Sequence, residues 1–117
     1  MAVEMTPEEF EHHVSEALDL VPEELLDLVE NCVVLVEENP PDEMPGILGL
    51  YEGIPLTERN FGYSMALPDR IFIFRNPILR ACRSRGQVVR EIRVTVIHEI
   101  AHHFGISDAR LHELGYG

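Results

Sequence analysis

His98 and His102 stand four residues apart in the segment VIHEIAHHFGISD, residues 96–108, with Glu99 between them and Gly105 and Asp108 beyond. Helical residues four apart share a face, so both imidazoles can meet one ion. Neutral imidazole is a good zinc ligand at about 2.0–2.1 Å. Glu99 lies one position round the helix, offset from the pair but beside a water on the metal. There it can act as a general base, with zinc lowering the pKa of that water toward about 7. Two imidazoles leave a third ligand to be found and a fourth position for water. Asp108 can supply the third, because a carboxylate binds zinc at about 2.0–2.2 Å. For it to return to the same ion the helix must stop at once, and Gly105 permits that reversal because it has no Cβ penalty at positive φ. The chemistry open to these residues is metal-assisted hydrolysis.

In shuffled versions of this composition, His-Glu-x-x-His arises in roughly 4% of cases, and the pattern extended to Gly and Asp in about one in ten thousand. The competing reading is a core helix whose histidines pair with carboxylates, with Asp108 only capping the last helix. Other histidines have weaker claims. His103 points about 100° away from His102 and suits packing or a carboxylate contact. His112 is a surface residue or a substitute ligand, and His12-His13 is a surface pair among glutamates. A tyrosine can hold an oxyanion in such a site, and Tyr51, Tyr63 and Tyr116 are all available.

The elements that must position these residues read as follows. Thr6 caps a helix over 7–18, with Pro7 at its first position and Glu9 completing a capping box. Pro22 opens a second, short helix with Leu25, Leu26 and Val29. CVVLVEEN predicts a strand near 32–38, ended by Asn39-Pro40-Pro41. A Pro- and Gly-rich stretch follows, with a short strand near 48–52. RIFIFRNP alternates as a strand until Pro77 stops it, and Leu79–Ser84 form a turn or short helix. That strand reads either as an edge that an extended peptide could extend by backbone pairing, or as an ordinary strand with Phe72 and Phe74 in the core. From Gln87 to Phe104, Val89, Ile92, Val96, Ile100 and Phe104 recur on one helical face, widened by Val88, Ile97 and Ala101. Ser107 can cap a last helix over about 108–114. The order is that of an α+β fold in a single domain, 1–117.

VTVIHEIAHHFGISDARL resembles the small bacterial zincin-like metallopeptidase family, the minimal zincins, first catalogued as a domain of unknown function. LGLYEGIPLTER, LPDRIFIFRNP and the acidic N-terminal helix pair fit the same pattern, so the likeness runs from about Phe10 to Gly115. The resemblance implies one Zn²⁺ on His98, His102 and Asp108, with Glu99 as catalytic base. It also implies a cut-down zincin, a small mixed sheet packed on the active-site helix. Metzincins use the same spacing with a histidine third ligand. Here Asp108 takes that place, and no Met-turn can follow, since Met1, Met5, Met44 and Met65 all lie upstream. Glu113, eleven residues past His102, is too close to be a ligand on a separate returning helix.

Composition narrows the partners. The chain has 117 residues and a net charge of −12. All nine of its Lys+Arg residues are arginines, and they lie after residue 58, whereas the first 58 residues carry 16 acids and no base. Nucleic acid, which needs a basic face, is disfavoured, and the two halves should partly neutralise each other on folding. No apolar run is long enough to cross a membrane and no secretory leader is evident, so the expected address is cytoplasmic. Cys32 and Cys82 lack metal-type spacing and read as free thiols. Two functions follow: a zinc peptidase acting on peptide or protein, or an inactive zincin-like module that binds protein.

Overall fold

The computed structural model describes residues 3–21, 32–52, 69–105 and 108–113, without the side chains of residues 103, 104, 108, 111 and 112. Four helices and three strands fall within these segments: α1 (Pro7–Asp19), β1 (Cys32–Glu37), β2 (Gly49–Glu52), β3 (Asp69–Phe74), α2 (Arg75–Ala81), α3 (Arg85–Phe104) and α4 (Asp108–Glu113). The architecture is α+β, as expected. The predicted helix at Pro22 lies outside the described residues.

α1 starts as its sequence dictates. The Thr6 hydroxyl accepts from the Glu9 N–H and the Glu9 carboxylate accepts from the Thr6 N–H, satisfying two otherwise orphaned donors. Phe10, Val14 and Ala17 form its buried face and pack toward α3. α3 begins two residues earlier than the periodicity predicts, because the Ser84 hydroxyl accepts from the Gln87 N–H. It ends at Gly105, whose φ of 76° is left-handed and whose N–H closes onto the Ala101 and His102 carbonyls. Its buried stripe runs through Val88, Ile92, Val96, Ile100 and Ala101. Val89, expected in that stripe, is only half-buried; the helix is rotated so that Val88 faces the core instead.

The sheet has the order β1-β3-β2. β1 pairs with β3 in parallel, from Cys32 opposite Asp69 to Glu37 opposite Phe74. β2 pairs antiparallel with the other side of β3, Gly49 opposite Ile73 and Glu52 opposite Arg70. RIFIF is therefore the central strand, which corrects its reading as a substrate-pairing edge: both of its backbone edges are already used. Alternation explains the layers. Ile71 and Ile73 are fully buried against the helices, with Val34, Val36 and Tyr51 packed beside them. Phe72 and Phe74 project from the opposite face as a stacked pair, Phe72 half-buried and Phe74 covered. The helix-facing core is thus made by isoleucines rather than phenylalanines. Each fully buried aliphatic side chain of this kind contributes about 1.5–3 kcal/mol.

Pro77 does not stop the chain where expected. β3 passes directly into α2, and Pro77 occupies its first turn, where a missing N–H costs nothing because no carbonyl precedes it in the helix. Arg75 fixes this junction. Its guanidinium donates to the Glu38 carboxylate at 2.7 Å and to the Met5 carbonyl at 2.7 Å. Arg85 likewise donates to the Glu4 carbonyl and pairs with Glu9. Arginines of the second half thus hold the acidic first half, the partial neutralisation expected from the sequence. Among the described residues no helix is long and apolar enough to cross a membrane.

Candidate metal centre

The last turns of α3 bring three donors together. Nitrogens of His98 and His102 and a carboxylate oxygen of Glu99 all lie within 4.8 Å of one another. The two imidazole centroids are 4.6 Å apart with planes at 66°, the arrangement that i, i+4 spacing imposes on one helix face. Glu99 Oε1 stands 3.1 Å from His102 Nδ1. His98 and His102 are partly exposed, whereas Glu99 is 6% exposed. The helix accordingly presents two accessible imidazoles beside one buried carboxylate. The two imidazole nitrogens suit zinc, a borderline cation commonly bound by histidine, and the Glu99 carboxylate stands beside them.

β2 is the reason Glu99 is buried. Its first residue, Gly49, lies against α3 so closely that an added Cβ would stand 2.7 Å from Thr95 Cγ2 and 3.1 Å from Glu99 Cγ. Only a residue without a side chain allows the strand to press on the helix at that turn. Beyond the contact, a cleft of about 320 Å³ opens between Gly46–Gly49 and α3, and His98 and Glu99 line it. Gly49, Thr95 and the cleft residues Leu48 and Glu91 were not singled out from the sequence. A glycine inside a predicted strand is a sign of close backbone approach and could have identified Gly49.

The fate of the other expected residues is mixed. Asp108 begins α4, three residues beyond Gly105, so a new helix starts where one was expected; its side chain lies outside the described residues. So do the side chains of His103 and His112, the whole of Tyr63 and Tyr116, and the expected cap Ser107. Tyr51 is on the inner face of the sheet and donates its hydroxyl to Asp69 Oδ2 at 2.6 Å. His12 and His13 are on α1 with Glu16 as their partner, a surface pair as expected. Cys32 and Cys82 form no disulfide, and of the two only Cys82 is buried.

Comparison with known proteins places this geometry in context. The family model described as zincin-like metallopeptidase matches residues 29–117. A solved structure of a conserved hypothetical protein from Thermus thermophilus superposes with a TM-score of 0.61 at 26% identity, covering 86% of this chain and 94% of that one. No curated protein matches the chain.

Proposed function

The chain belongs to the zincin-like metallopeptidase family, and from that premise we propose that it is a zinc-dependent peptidase in which His98, His102 and Asp108 hold one Zn²⁺ and Glu99 is the general base. The observation that carries the reading is the convergence of donor atoms of His98, Glu99 and His102 on one turn of α3, with His98 and Glu99 on the wall of a cleft. Zinc bound there would supply Lewis acidity, acidifying water and polarising the peptide carbonyl. The chain's own residues account for the remaining work. The Glu99 carboxylate takes the proton of the attacking water and returns it to the leaving amine. Gly49 of β2 lies close against the Glu99 Cγ and helps to hold that side chain. Among the described residues β2 is a terminal strand of the sheet, so its outer edge can pair with an extended peptide running past the histidines. The substrate is peptide or protein, without nucleic acid or membrane, and residues 1–117 act as one domain.

The test is Glu99→Gln. The peptidase reading predicts retained zinc and a loss of turnover of about 10²–10⁴-fold. In the alternative, an inactive zincin-like module, the wild type hydrolyses nothing in a broad peptide library and Glu99→Gln keeps every function. Asp108→Ala tests the third ligand: zinc affinity should fall by more than about 100-fold, the upper range for groups that only support a ligand. Unchanged zinc affinity would remove Asp108 from the site.

A further inference from the structure

The cleft extends well past the metal donors. Its lining runs up α3 through Thr95 and Val94 to Glu91. Glu91, Val94, Thr95 and His98 follow the 3–4 spacing of a single helix face. Seven residues at 1.5 Å place Glu91 about 10 Å from His98 along the axis. Between them Val94 is 45% exposed, an apolar side chain turned to the cleft rather than the core. Ile47 and Leu48 face it from the β2 side. Glu91 is half-buried and has no hydrogen bond or ion pair with the described residues, in a chain with nine arginines. Its sequence neighbours Arg90 and Arg93 are exposed and point roughly 100° and 200° away round the helix. Its charge is also felt inward: burial first, and then the Glu91 carboxylate, push the Cys82 thiol up.

We propose that the Glu91 end of the cleft is a specificity subsite for a cationic side chain, arginine or lysine, of the substrate peptide. An aliphatic stem would lie on Val94 and Leu48 and deliver its charge to the Glu91 carboxylate. Long cationic side chains are built for such a site, with an apolar stem and a charged head. An extended chain advances about 3.4 Å per residue, which puts the cationic residue about three positions from the scissile bond. This inference rests on the peptidase reading of the same cleft.

The experiment has a cleavage arm and a binding arm. In the first, the zinc-loaded protein digests an equimolar library of capped nonapeptides, and mass spectrometry scores each position. Arginine and lysine should be enriched at one fixed position. Glu91→Gln should reduce kcat/KM for the arginine peptide relative to its norleucine counterpart by about tenfold or more. Glu91→Arg should shift the preference to glutamate or aspartate. In the second arm, the Glu99→Gln protein, which leaves peptide intact, is titrated with fluorescent arginine and norleucine versions of one nonapeptide. The arginine peptide should bind about tenfold tighter, and Glu91→Gln should abolish the difference. Cleavage without a cationic preference overturns the subsite and spares the peptidase. Arginine-selective binding that depends on Glu91, without cleavage by any zinc-loaded form, spares the subsite as a peptide-binding site and removes the peptidase. Equal binding of both peptides, with or without Glu91, overturns the subsite.

Discussion

Gly49→Ala should be unusually damaging for the addition of one methyl group. The new Cβ would lie 2.7 Å from Thr95 Cγ2, 3.1 Å from Glu99 Cγ and 3.1 Å from the Phe72 carbonyl oxygen. Carbon atoms rest at about 3.5–4.0 Å, so the closest contact is short by nearly 1 Å. None of the three neighbours yields easily. Thr95 is buried and β-branched, the Phe72 oxygen is backbone of the central strand, and Glu99 is buried. Overpacking of this kind costs about 1–3 kcal/mol, slightly offset by the lower chain entropy of unfolded alanine. With about 2 kcal/mol lost, a chain of this length should melt about 8 °C lower. The assay is thermal and urea unfolding of the metal-free protein, so that zinc binding does not add to apparent stability. Thr95→Ser deletes the closest contact atom. The double variant should therefore be more stable than the two single losses predict, by about 1 kcal/mol of coupling. A melting point for Gly49→Ala within about 2 °C of wild type, or strict additivity in the double variant, would refute the reasoning.

Other consequences can be checked in the same preparations. Gly105→Ala forces an L side chain into a left-handed conformation and should cost about 1 kcal/mol in urea unfolding; an unchanged midpoint would mean that the helix stop does not depend on that backbone. Glu9 is held below the usual 4.5, first by the Thr6 N–H and then by Arg85. Its depressed folded-state pKa makes its contribution fully present above about pH 4.5 and lost as the pH falls through the folded value. Unfolding of wild type and Glu9→Gln should therefore differ at pH 6 and converge in acid. The Cys82 thiol is pushed above 9.0, first by burial and then by Glu91, so above about pH 9 the unfolded chain releases a proton that the folded chain keeps. Wild type should lose stability relative to Cys82→Ala between pH 8 and 10, and iodoacetamide should label Cys82 only as fast as the protein opens.

The grouping of His98, Glu99 and His102 was legible because it is local. One helical segment carries His98, Glu99 and His102, and a 3.6-residue period is enough to put them together. The α3 stop at Gly105 was legible for the same reason. What required the structure was long-range. Strand order cannot be read from alternation, so RIFIF read equally as an edge or as an ordinary strand until its place between β1 and β2 was seen. Local patterning also hid the start of α2, since Pro77 is a stop signal in most positions but not in a first turn. The burial of Glu99 depends on Gly49, fifty residues earlier in the chain, and on a contact that no sequence period encodes.

The parallel pairing of β1 with β3 has a consequence in time. Joining Cys32 to Asp69 requires the chain between them to be gathered first, and such distant contacts slow folding. The helix of the two histidines closes only contacts four residues apart, on the microsecond scale of helix formation. A refolding chain would thus space both imidazoles before it has a cleft around them. Zinc supplied during refolding should speed the recovery of structure, whereas zinc added to the finished fold would have only an affinity to report.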